Sequence, residues 1–339
     1  MAHKWQQILD LPSHWQSLIS AELKSISSIW QEQHDRLRKL DSIQQFNDRL
    51  AREWAIETGI IENVYHIDRG VTVVLIEKGI EASLIPHGAS DRPAEEVIQI
   101  VHDHQEALEG LFSFVKKRRT LSNSYIRELH DQMLKHQHST VGKNTLGEIV
   151  EIELKRGQFK TLPNNPSIPG TGLHEYCPPE HVASEMDNLL GWHTAHLKME
   201  VPVEIEAAWL HHRFTQIHPF QDGNGRIARA LASLVFIRDK YFPLLITRDT
   251  RADYISALGA ADNGDLTALV ALFARQQKGS LLKALSLSED VIRRTSTLNT
   301  VVDAAIGRLR QRREEVILEQ RKVLEIAGEL EEEAALAME

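Results

Sequence analysis

The stretch His218-Pro219-Phe220-Gln221-Asp222-Gly223-Asn224-Gly225-Arg226-Ile227-Ala228-Arg229 places two glycines, an asparagine and two arginines at the start of an apolar-periodic run. Gly223, Asn224 and Gly225 adopt positive φ more readily than most residues. Such a run lets successive backbone N–H groups turn inward and form an anion-binding concavity. Ile227, Ala230, Leu231, Leu234 and Val235 then recur at helical spacing, with Pro243 beyond them. The glycines therefore fall at a helix N-terminus, where unpaired N–H groups and the macrodipole favour negative charge. Arg226 and Arg229, three residues apart, share one side of that helix. Two cations at a positive helix end repel each other, and a polyanion between them removes the conflict. Asp222 offers a hard oxygen ligand suited to Mg²⁺ on phosphates. His218 offers a proton acceptor near neutral pH. The plainer alternative is a glycine-rich turn before a core helix, with solvated arginines. No GxxxxGK[ST] sequence occurs, so this is not a P-loop.

These residues resemble the motif of the Fic family, HxFx(D/E)GNGRxxR, and His218, Phe220, Asp222, Gly223, Asn224, Gly225, Arg226 and Arg229 fill every fixed position. The resemblance implies an all-α, mainly helical fold with a small β-hairpin flap. It also implies a nucleotidyltransferase, a protein adenylyltransferase that moves AMP from ATP and Mg²⁺ onto a Ser, Thr or Tyr hydroxyl of a target protein. By the same analogy His218 is the catalytic base, Phe220 anchors the loop and Asp222 holds the metal. Gly223 belongs to the phosphate cradle, Asn224 and Gly225 provide the anion hole, Arg226 binds the inner phosphates and Arg229 the outermost. Tyr254, on a later helix, is expected to line the adenine pocket, with a core tyrosine as the equal alternative.

Composition sets outer bounds. The 339 residues carry a formal net charge of -9, which argues against nucleic acid as a partner. The single cysteine, Cys177, excludes an intrachain disulfide and suggests a reducing, cytoplasmic setting. No apolar run reaches the length of a membrane span, and Met1–Gln7 shows no signal-peptide core.

Along the chain we distinguish an N-terminal helical region (1–90), a core with inhibitory helix, flap and motif (91–283) and a C-terminal helical extension (284–339). Ser90-Asp91-Arg92-Pro93 reads as a helix start, and Gly110 as a point where that helix relaxes or ends. Many Fic proteins carry an inhibitory motif (S/T)xxxE(G/N). The stretch Gln105-Glu106-Ala107-Leu108-Glu109-Gly110 resembles it, with Gln105 as a departure at the first position. The resemblance implies that Glu109 pairs with Arg229 and autoinhibits the enzyme, since a carboxylate can fill an arginine fork meant for phosphate. The run from Ile149 to Leu162 resembles the Fic flap, with Phe159, Lys160 and Thr161 docking the target by strand addition. His211 and His212 lie near His218 without a metal-site spacing and read as structural or solvated. Val302, Leu309, Val316, Val323 and Leu330 recur every seven residues, a seam for a partner helix, either in a homodimer or by folding back. Two other functions compete: removal of AMP by water that the inhibitory glutamate positions, and a nucleotide-regulated scaffold.

Overall fold

A computed structural model describes residues 3–143, 148–168, 172–287 and 312. Its centre is an antiparallel-type pair, α7 (Val203–Ile217) and α8 (Asn224–Arg238), joined by the glycine-bearing loop. Both helices are buried nearly all round: from Ile227 to Ile237 every residue of α8 is buried, and α7 hides Trp209, Leu210, Phe214 and Ile217. A helix buried on every side must be wrapped, not laid on a surface.

The wrapping comes from α2 (Asp41–Ile61), α4 (Ala94–Lys116), α5 (Asn123–Met133), α6 (Val182–Lys198) and α9 (Arg251–Asp262). Helix α4 packs on α2, α5 and α8, and α6 packs on α7. On the rim lie α1 (Ala21–Leu37) and α3 (Arg69–Lys78), and residues 267–287 are helical again. The β-branched run 71–76 is thus helix, as its placement beside α2 demands. Ser122 caps α5 by accepting the Tyr125 N–H at 3.3 Å. Pro93 opens α4, while Asp91 instead accepts the His66 N–H at 2.7 Å. Gly110 neither ends nor bends α4 into two: the helix continues to Lys116, held by Leu111 and Phe114 in the core.

Among the described residues the strands form two hairpins: β1 (Ser139–Lys143) with β2 (Ile149–Glu153), and β3 (Ser167–Ile168) with β4 (Gly172–Leu173). Both pairs are antiparallel, with Val141 opposite Glu151 in the first and Ile168 opposite Gly172 in the second.

Residues on both sides of position 90 join in one compact unit, Met1–Leu285, because α2 and α4 share the same core. Ser286–Glu339 forms a second unit. The seven-residue seam from Val302 to Leu330 lies outside the described residues.

Candidate active site

Helix α7 ends on His218, which takes a left-handed conformation (φ 52°, ψ 58°) while its N–H still bonds the Phe214 carbonyl at 2.9 Å. Pro219 cannot extend the helix. The imidazole Nδ1–H donates to the Thr215 carbonyl at 3.2 Å. That bond leaves Nε2 as the lone-pair nitrogen. The Tyr176 ring stacks on the imidazole, centroids 3.7 Å apart and planes 9° off parallel. Burial, with the nearby Lys160 charge, lowers the His218 pKa to about 3. The ring is therefore neutral, able to accept a proton, at any ordinary pH.

Phe220 fixes the bend. It is fully buried and stacks on His130 at 3.8 Å, and His130 Nε2–H reaches the Asp222 carbonyl at 3.1 Å. The Asn224 side chain closes the loop from inside: its Oδ1 accepts the Phe220 N–H at 2.9 Å and its Nδ2 donates to the Phe220 carbonyl at 2.8 Å. Both ends of the amide are used, so Asn224 braces the loop with its side chain while its backbone N–H opens α8. Gly223 sits at φ +77°, and a Cβ there would meet Leu134 at 2.8 Å. The first ladder bond of α8 runs from Ile227 N–H to the Gly223 carbonyl at 3.0 Å, so the amides of residues 224–226 precede it.

Asp222 is partly exposed. Its Oδ1 accepts the Gly223 N–H at 2.5 Å and its Oδ2 accepts Gln137 Nε2 at 2.7 Å. Burial pushes its carboxyl up, but the Arg226 charge and the hydrogen bonds from Gly223, Thr140 and Gln137 outweigh it, and the pKa lies below the usual carboxylate range. Arg226 is 1 % exposed and donates from Nη2 to Gln137 Oε1 at 2.7 Å. Its Nε and Nη1 have no partner. Unpaired donors on a buried cation are expensive, and an anion is what relieves them.

Arg229 is different: every guanidinium nitrogen is engaged. Nη1 donates to Glu62 Oε1 at 2.5 Å, while Nη2 and Nε bond Thr58 Oγ1 at 2.9 and 3.2 Å. Glu62 caps the end of α2, and its carboxylate lies so close to Gly225 that a Cβ built there would collide with it. Glu109 is not the partner of Arg229. It is exposed on α4, one residue past the buried Leu108, and one residue turns the helix by about 100°, away from the core. The signal for Glu62 was present in the chain: Thr58-Gly59-Ile60-Ile61-Glu62-Asn63 satisfies (S/T)xxxE(G/N) at every fixed position. Each position has a physical task. Thr58 bonds the arginine, Glu62 pairs with it, and Asn63 takes the left-handed conformation (φ 53°) just past the helix end that Gly or Asn tolerates.

Two further expectations need correction. Tyr254 is 2 % exposed, and its hydroxyl bonds His211 Nε2 at 2.9 Å. Its ring stands edge-on to His211 inside the core, so it presents no face for adenine to stack on. Residues 159–161 form no strand. Lys160 N–H is bound to the Pro219 carbonyl at 2.8 Å, its amine is buried against Asn164, and Phe159 packs on Phe220. Burial lowers the Lys160 pKa to about 8. Only Thr161 is exposed. The hairpin tied to the base is β3–β4, which leads into Tyr176. His211 and His212 are both buried, His212 donating to Asp262 Oδ1 at 2.9 Å.

The nearly all-helical domain thus sets the N-terminal amides of α8 and the part-unpaired Arg226 in one loop region with a neutral imidazole. The chain matches the Fic/DOC family over residues 120–236. It is 33 % identical over 178 residues to the protein adenylyltransferase fic-1 of Caenorhabditis elegans, covering 51 % of this chain and 34 % of that one. With the protein adenylyltransferase Fic of Nematostella vectensis it shares 25 % identity over 252 residues, 70 % of this chain and 53 % of the relative. The chain thus spans between a third and about half the length of these relatives. Among solved structures, a Fic domain containing signaling protein from Bacteroides thetaiotaomicron superposes with a TM-score of 0.64 at 24 % identity, over 80 % of this chain and 97 % of that one. Fic-1 of C. elegans superposes with a TM-score of 0.57 at 21 % identity, over 80 % and 72 %. At these identities the likeness speaks to the fold alone.

Proposed function

We propose that this chain is a protein adenylyltransferase that transfers AMP from ATP to a hydroxyl of a protein substrate and is held off by Glu62. The observation that carries this reading is Arg226, a buried guanidinium with two unpartnered nitrogens at the start of α8. The names of the relatives, protein adenylyltransferases, supply the nucleotide.

In this reading the phosphates lie along the N-terminal amides of α8 and against Arg226. His218 Nε2 takes the proton of the target Ser, Thr or Tyr hydroxyl. The oxygen then attacks the α-phosphorus as the bond to pyrophosphate breaks. The protein contributes position and charge, which is most of what phosphoryl-type transfer requires. Asp222, ionised and partly open, suits a hard cation. Mg²⁺ held there would neutralise phosphate charge.

Glu62 competes for the outermost phosphate. Its carboxylate already fills the Arg229 fork and crowds Gly225. The same position, beside the cradle, also suits a carboxylate that orients water for the reverse reaction, removal of AMP from a modified target.

The deciding experiment is incubation of the full chain and its Glu62→Gly variant with α-labelled ATP, Mg²⁺ and lysate. Label should appear on protein, more strongly with the variant. Absence of label in both, with no release of AMP from a modified target, would overturn the reading.

A further inference from the structure

A second cluster of titratable side chains lies beside the His218 loop. Among the described residues, His3, His174 and Asp262 bring one ligand atom each to within 4.8 Å of the others. They come from three distant parts of the chain: the segment before α1, the residue after β4, and the end of α9. The backbone holds the first two in place. His3 and His174 pair as an isolated parallel bridge, and the Glu175 N–H donates to the His3 carbonyl at 2.9 Å. Their imidazoles stack, centroids 4.3 Å apart and planes 13° from parallel. His212, itself buried, fixes Asp262 by donating to its Oδ1 at 2.9 Å and leaves Oδ2 for another partner. A histidine that orients a ligating carboxylate in this way is the outer support metal sites use. All three residues are partly exposed, so an ion has a way in.

The donor set selects the ion. Two imidazoles and one carboxylate suit zinc and its neighbours, whereas Mg²⁺ and Ca²⁺ demand oxygen. Bond lengths of about 2.0–2.1 Å place tetrahedral ligand atoms about 3.3 Å apart, so binding would draw together atoms that now lie within 4.8 Å of one another. Three protein ligands leave the fourth position to water.

We propose that His3, His174 and Asp262 form a binding site for a zinc-class divalent cation that clamps the N-terminal segment and α9 to the β3–β4 hairpin. Tyr176 follows His174 by two residues and stacks on His218, so the bound ion fixes the residue packed on the proposed base. The site shares no residue with the Asp222 cradle and does not depend on the transfer chemistry.

The test uses the full chain, tag-free and stripped with chelator. Calorimetry with zinc and metal analysis after dialysis should give one ion per chain, and Co²⁺ should give the intense visible bands of a four-coordinate site. His3→Ala, His174→Ala and Asp262→Asn should each weaken zinc binding at least tenfold. His212→Ala, which loses only the support of Asp262, should weaken it by about tenfold. The chain has 17 histidines, so binding elsewhere is the competing outcome. Zinc retained undiminished by His3→Ala and His174→Ala, or no zinc retained by the parent chain, overturns the proposal. Should His174→Ala fail to fold, as judged by circular dichroism, His3→Ala decides, since His3 lies outside every helix.

Discussion

Glu62 and Glu109 are both glutamates on helices, each followed by a residue that permits a left-handed turn, yet only Glu62 touches an arginine. The difference is one of position. Glu62 stands at the end of α2, where its carboxylate reaches Arg229 of α8, whereas Glu109 sits mid-helix and is exposed to solvent. The eight motif residues were legible in the chain because their chemistry is local. Glu62 was harder, because its partner is 167 positions away and the matching pattern at 58–63 lies in an apolar helix end that reads as core. Replacing Glu62 by Gly should free Arg229 and raise self-labelling from ATP by about fivefold to 150-fold, the range of a coupling of about 1–3 kcal/mol. Glu109→Gly should leave labelling unchanged. A rise with Glu109→Gly and none with Glu62→Gly would reverse the assignment. His218→Ala should cost about 10²–10⁴ in transfer rate while ATP binding by calorimetry persists. Retained transfer would remove His218 from the base role.

The motif works as an element because α7 stops and α8 starts within a few residues. His218 in a left-handed turn, Pro219, and Gly223 at φ +77° reverse the chain, and the Asn224 amide locks the turn against Phe220. The reading from the chain placed the glycines at a helix start and expected Asn224 to serve an anion; the side chain turned out to hold the loop closed. It also expected a hairpin over the site. A hairpin is present at 149–153, with a first strand at 139–143, but the ring stacked on His218 is Tyr176, in the segment just after the second, shorter hairpin. Two-residue strands carry too little pattern to be seen in a sequence, and burial of Lys160 contradicts its charge. Gly225 is the point where the two functional elements meet. Gly225→Ala should shift or expel the Glu62 side chain and destabilise the fold by about 1–3 kcal/mol. In the Glu62→Ala background the same substitution should cost much less, measured by urea unfolding as a double-mutant cycle. Additive costs would show that Glu62 does not press on Gly225.

At the scale of the whole Met1–Leu285 unit, the most consequential feature is how many histidines fold into dry surroundings. Burial lowers His104 to about 3 and His130 to about 4, and also lowers His211 and His212. Each pKa lies below the value of about 6.5 expected in the unfolded chain. Between the two values the unfolded state binds protons that the folded state refuses, so stability falls as pH drops through 6.5. Some groups act the other way. At His196 burial opposes charge, but Glu206 and Asp10 outweigh it and raise the pKa, so its contribution is present below 6.5 and lost above its folded pKa. Burial raises Asp103 and Glu53, which then take up protons while folded. With His174 and His218, which burial also lowers, six lowered imidazoles against one raised leave a net proton uptake on unfolding near pH 5–6. Each net proton costs about 1.4 kcal/mol per pH unit. Urea unfolding at pH 7.5, 6.0 and 5.0 should show stability declining by at least that increment over the last unit. His104→Gln should flatten the decline by about one proton, since the amide keeps a donor for the Ala55 carbonyl, 2.9 Å from the histidine Nδ1, and cannot ionise. A profile flat or rising toward pH 5 would mean that these imidazoles are hydrated in the folded protein, and that the core around α7 and α8 is looser than its packing implies.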